Sequence, residues 1–113
     1  MGDRYRDSLS SAPLAYNVRA EFDGELWYPG VSATVFGAYL RTAPGLAGGK
    51  PTDDDWIPGT FEITANGTVR ALVPCGPATS NDLDLGPWFE WVKINDPVTG
   101  GQPVEQPGRV IIQ

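Results

Sequence analysis

Apolar and polar residues alternate with a period of two along much of this chain. The alternating stretches are cut at nearly even spacing by Pro29-Gly30, Asn66-Gly67, Gly86-Pro87 and Pro107-Gly108. This pattern predicts short strands joined by turns. Over residues 15–22, Tyr16, Val18, Ala20 and Phe22 share one face and Asn17, Arg19 and Glu21 the other, the signature of a half-buried strand. Asp23-Gly24 is a turn signal before a short strand over 25–28.

Residues 31–42 read as the longest extended stretch. Ala33, Val35, Gly37 and Tyr39 occupy one face and Thr34, Phe36, Ala38 and Leu40 the other, so both are largely apolar. That suits a central strand or one that also touches a partner. Gly37 in its middle predicts a bulge or a close backbone approach. Residues 60–65 and 68–73 predict a hairpin closed by a two-residue type I′ turn at Asn66-Gly67, with Phe61, Ile63, Val69, Ala71 and Val73 on the buried face. Residues 87–95 and 109–112 supply two further strands, and 43–57, 74–86 and 96–107 are read as loops. Loops of such length in a small domain are commonly functional or mobile.

Six or seven strands without a helical period predict an all-β fold, a single Ig-like antiparallel β-sandwich of about seven strands over residues 15–113. A small barrel is the alternative. Residues 1–14 are polar and aperiodic up to Pro13, and they are read as an extended N-terminal arm outside the core.

The 113 residues, 41% of them hydrophobic, suffice for one core and not for two ordinary domains. A formal charge of −6, from 14 acidic and 8 basic residues, argues against nucleic acid and against an anionic membrane surface as partners. The first twelve residues lack the apolar run of a signal peptide, so synthesis in the cytoplasm is expected.

Histidine is absent, which removes the usual neutral-pH base and the commonest metal ligand. Serine, threonine and the single Cys75 therefore lack their ordinary activator, no internal disulfide is available, and Cys75 reads as a small buried apolar residue. Glu62 and Glu90 are the carboxylate pair to consider for glycoside hydrolysis, but a domain this small leaves little room for a cleft. Asp53, Asp54 and Asp55, with Asn81, Asp82 and Asp84, are candidate oxygen ligands for a hard cation. Contiguous aspartates in an extended loop diverge, so a solvated loop is the expected role. Asn66-Gly67-Thr68 fits a glycosylation acceptor, and turn geometry already accounts for it. No catalytic residue, metal or cofactor is expected.

Four tryptophans are a heavy load for this length: Trp27, Trp56, Trp88 and Trp91. One or two belong in the core. Trp88 and Trp91 lie three apart on one strand and so point to opposite faces, which places one of them at an interface, in a groove, or partly exposed.

The segments Val31-Ser-Ala-Thr-Val-Phe-Gly-Ala-Tyr-Leu-Arg41, Asn66-Gly-Thr-Val69, Leu85-Gly-Pro-Trp-Phe-Glu-Trp-Val-Lys93 and Pro107-Gly-Arg-Val-Ile-Ile112 come in this order. Together they resemble small Ig-like virion proteins of tailed bacteriophages: head-decoration and minor capsid proteins, and the N-terminal domain of upper baseplate proteins. The resemblance spans about residues 20–113. It implies a non-enzymatic structural protein of the phage particle, a capsid decoration or minor capsid protein. Such a protein binds and stabilises other virion proteins, above all the major capsid protein, in many copies. A tail, baseplate or neck component is the alternative within that class, and a carbohydrate-binding module the alternative outside it. The expected partner-binding residues are Tyr5 and Leu9 of the arm, Trp56, and one of Trp88 and Trp91. Removing the chain before Pro13 is expected to leave a folded domain that no longer joins particles.

Overall fold

The computed structural model describes residues 3–18, 21–22, 25–30, 32–98 and 104–113. Among them, ten strands and one 3-10 turn follow in order: β1 (Asp3–Arg6), β2 (Leu14–Val18), β3 (Glu21–Phe22), β4 (Glu25–Leu26), β5 (Thr34–Leu40), η1 (Asp53–Asp55), β6 (Ile57–Pro58), β7 (Thr60–Ile63), β8 (Val69–Val73), β9 (Gly86–Asn95) and β10 (Val104–Ile112). The fold is an all-β sandwich. One sheet has the order β1-β10-β9-β5-β6, the other β2-β8-β7, and β3 and β4 form a small ribbon of their own. In the immunoglobulin convention β2, β8 and β7 stand as B, E and D, β5, β9 and β10 as C, F and G, and β6 as an added C′ strand.

Alternation along each strand decides what faces the core. Val35, Tyr39, Val92, Val110 and Ile112 from the larger sheet meet Leu14, Tyr16, Ala71 and Val73 from the smaller one. Gly37 faces the smaller sheet at close range: a Cβ there would sit 2.8 Å from Val73 Cγ1. The β5–β9 register runs unbroken through it, so of the two expected reasons for this glycine the close approach holds and the bulge does not. Gly59 joins β6 in one sheet to β7 in the other. Its amide donates to the Val35 carbonyl, and a Cβ would come within 2.4 Å of the Leu72 carbonyl oxygen.

The arm is extended, but it does not stand outside the domain. β1 pairs in parallel with β10, from Asp3 opposite Arg109 to Arg6 opposite Ile112, and becomes an edge strand of the larger sheet. This register turns Arg4 and Arg6 toward the interior. Arg4 contacts Glu90 and donates to the Ala15 carbonyl of β2 at 3.0 Å, and Arg6 donates to the carbonyls of Ser10, Ala12 and Cys75. Two arginines thereby close the open side of the sandwich. Inward charges on an edge strand also oppose pairing with foreign strands.

Two local expectations are corrected. The hairpin between β7 and β8 pairs Ile63 with Val69, and Thr64 and Thr68 enclose a three-residue loop. Gly67 alone takes positive φ there, at 85°, while the Gly67 amide donates to the Thr64 carbonyl. This is a type I turn with a G1 bulge, not a type I′ turn. On the face expected to be buried, Val69, Ala71 and Val73 are buried, whereas Ile63 near the turn is 54% exposed. The last strand is also longer than 109–112. It begins at Val104 and absorbs Pro107-Gly108 in an irregularity between Glu105 and Gly108. Residues 19–20, 23–24 and 31, on which parts of the expected strands and one turn fall, lie outside the described residues.

Candidate functional site

The outward face of the larger sheet can be read as rows across its strands. Tyr5, Ile111 and Pro87 form one row, and Asp3, Arg109, Phe89 and Leu40 the next. Trp91 stands beside Ala38, and the last row holds Val104, Lys93, Phe36 and Pro58. Tyr5 is 66% exposed and Val104 45%; Phe36, Leu40, Phe89, Trp91 and Ile111 are half-buried. The smaller sheet presents a different surface. Ala15, Asn17, Thr60, Glu62, Arg70 and Leu72 face outward, with Arg70 and Glu62 3.3 Å apart across the hairpin.

Two cations lie on the aromatic face. Lys93 Nζ stands 4.5 Å from the Trp56 ring centre and 5.1 Å from that of Phe36, within cation–π range of both. Arg109 holds Asp3 through two hydrogen bonds of 3.0 and 2.7 Å and lies 5.9 Å from the Phe89 ring. The hydrogen bonds from Arg109 pull the Asp3 carboxyl below its ordinary range, and Asp3 in turn raises Arg109. Both groups are open to solvent, so salt screens this pair.

The expected binding residues do not all come together. Tyr5, Trp56 and Trp91 belong to the outward face or its border. Leu9 is 81% exposed at the tip of the turn after β1, where its amide donates to Asp7 Oδ1. Trp88 and Trp91 point to opposite sides. Trp88 packs against the core beneath Arg41, whose guanidinium carbon is 4.0 Å from the ring centre, and its Nε1 donates to the Asp84 carbonyl. Trp91 is therefore the outward one. Trp27 is half-buried, held by an edge-on contact with Phe61 and a 2.6 Å hydrogen bond to buried Asp96. Sequence reasoning overlooked Lys93, Arg109, Phe89, Leu40 and Ile111. Their signal was present in the alternation of β5, β9 and β10, but which strands adjoin is a tertiary matter.

The acidic loops have local work. Asp55 Oδ2 accepts from the Thr52 amide and hydroxyl, which caps η1. Asn81 is buried, and its Nδ2 donates to the Pro74 carbonyl. No cluster of potential metal ligands occurs among the described residues. Glu62 and Glu90 lie on different sheets, one exposed and one buried, and form no facing pair. Asn66 Oδ1 is engaged within its own turn by Thr64 Oγ1 and the Thr68 amide. Cys75 is buried, and burial pushes its thiol up. No helix among the described residues is long and apolar enough to cross a membrane.

Arg4, Tyr16, Tyr39 and Glu90 form a buried network. Arg4 donates twice to Glu90 Oε1, at 2.8 and 3.1 Å, and Tyr16 donates to the same oxygen at 2.7 Å. The Tyr16 hydroxyl lies 2.8 Å from that of Tyr39. Since Tyr16 has one proton and gives it to Glu90, Tyr39 is the donor to Tyr16. Burial raises both phenols above their ordinary range, Tyr16 strongly. Tyr16 and Glu90 thus join strands B and F across the sandwich, the two strands that a disulfide joins in antibody domains.

No family model, curated protein or solved structure matches this chain.

Proposed function

We propose that this chain is a non-enzymatic structural protein of a tailed bacteriophage particle, attached to the head as a decoration or minor capsid protein. The observation that carries the reading is the outward face of the larger sheet, where Tyr5, Phe89, Trp91 and Ile111 come together from three strands. Aromatic residues concentrated on one face, opposite a face of Asn17, Thr60 and a Glu62–Arg70 pair, suit a protein that works by covering a neighbour. The absence of histidine from the sequence fits a binding role. So do the four ordered segments that resemble Ig-like virion proteins.

Binding alone is the mechanism. At roughly 25 cal/mol per Å2 of apolar surface, a modest contact repeated over many copies strengthens a shell. The test is mass spectrometry of purified particles of the phage that encodes the chain, with quantification of copies. Hundreds per particle support the head, and a few to tens place the protein in the tail, baseplate or neck. Absence from particles, or glycan binding by the isolated domain, overturns the reading.

A further inference from the structure

Among the described residues the two sheets end in four edge strands, and three of these are guarded. β1 turns Arg4 and Arg6 inward, β6 is two residues long and ends in Pro58, and β2 has its Ala15 carbonyl taken by Arg4 at 3.0 Å. Short edges, proline and inward charge are devices that stop a sheet from adding strands. β7 carries none of them, and its register with β8 is regular, so no bulge turns it away. The hairpin fixes where its backbone points. The Thr64 amide donates to the Thr68 carbonyl, so Thr64, and with it Glu62 and Thr60, turn their backbone groups toward β8. Those of Phe61 and Ile63 point the other way, two amides and two carbonyls on an edge that no strand borders among the described residues. The Ile63 side chain beside them is 54% exposed.

We infer that the free edge of β7 takes an extended segment of another protein as an added strand, with apolar side chains opposite Phe61 and Ile63 and a lysine or arginine between them, opposite Glu62. The unpaired backbone groups select an extended chain. The rows across the smaller sheet select its side chains. On the inner face the rows Ala71-Phe61 and Val69-Ile63 continue with apolar residues. On the outer face the row Asn17, Arg70, Glu62 ends at the rim on a carboxylate whose side chain is 46% exposed, and the next place favours a cation. The net charge of −6 favours a cationic segment as well. A second copy fits badly, because the antiparallel register that uses both Phe61 and Ile63 sets Glu62 against Glu62. This edge belongs to a different surface from the aromatic face of the larger sheet, and its use does not depend on the phage reading.

The experiment is amide NMR of the full isotope-labelled chain, titrated with a short peptide of alternating valine and lysine. The expected result is saturable binding, with shifts centred on the Phe61 and Ile63 amides and slowed hydrogen exchange at both. Glutamate in place of the peptide's lysines should weaken binding about tenfold. Methylating its backbone amides should abolish binding. Glu62→Lys, at an exposed position that leaves the core untouched, should reverse the preference between the lysine and glutamate peptides. Ile63→Pro removes an edge donor without breaking a ladder bond to β8 and should weaken both. Shifts centred on another edge or around Trp91, equal affinity for the two peptides, dimerisation of the chain through β7, or no binding at millimolar peptide each overturn the inference.

Discussion

Arg4 and Glu90, 86 positions apart, meet at 2.8 Å, and the Glu90 side chain is only 3% exposed. The arginine comes from the edge strand and the glutamate from the centre of the sheet, so the strand that opens the fold neutralises the charge at its core. A buried carboxylate without a partner is costly, which makes β1 part of the domain rather than an appendage.

Arg4→Ala should therefore destabilise the protein by about 2–3 kcal/mol, somewhat less than for a fully enclosed pair because the Arg4 side chain is 36% exposed. Adding Glu90→Gln removes the stranded charge, so the double variant should be clearly more stable than the sum of the single losses. Urea unfolding of the four proteins decides this, and strict additivity would refute the coupling. A chain starting at Pro13 lacks β1 altogether. It should be destabilised at least as much, so its failure to join particles would not by itself identify the arm as a docking element.

Gly37→Ala should cost about 1–3 kcal/mol, since the new methyl group meets Val73 at 2.8 Å. Shortening the neighbour makes room: Val73→Ala combined with Gly37→Ala should lose less than the two separately. Thermal or urea melts of the set provide the check.

Alkali should unfold this domain through Tyr16 and Tyr39. Their folded-state values are raised by burial, while an unfolded tyrosine ionises near about 10. Above that pH the unfolded chain has released protons that the folded one retains. Stability from these two groups is fully present below about pH 10 and falls as pH rises beyond it. The urea midpoint, followed from pH 9 to 11.5, should drop above about pH 10. Tyr39→Phe should make that drop shallower. A flat profile through pH 11 would contradict the assignment.

Gly67→Ala should cost about 1–2 kcal/mol, because φ there is 85° and an L side chain is strained in that region. Asn66→Ala should cost less, since Asn66 needs no positive φ in this turn and loses only its hydrogen bonds to Thr64 and Thr68. Equal losses at the two positions, measured by denaturant unfolding, would favour a type I′ turn instead.

Much of the sandwich was legible in the chain. The faces of residues 34–40 were readable because side chains on a strand alternate strictly, and so was the divergence of Trp88 from Trp91. The hairpin type was misread because Asn-Gly serves several turns. Yet the apolar set Phe61, Ile63, Val69 and Ala71 already implied the observed register, in which Phe61 faces Ala71 and Ile63 faces Val69. A two-residue loop would set Ile63 against Arg70 and put the two faces out of step.

By itself, then, the sequence determined the class, most of the strands and the side on which each residue stands, because those follow from local chemistry and a period of two. Only the tertiary structure decided that the polar arm is a strand, that Glu90 is buried, and that Tyr5, Phe89 and Trp91 share one surface. Such facts depend on which strands become neighbours, and contacts between residues more than 100 positions apart, such as Asp3 with Arg109, leave no mark in any local window.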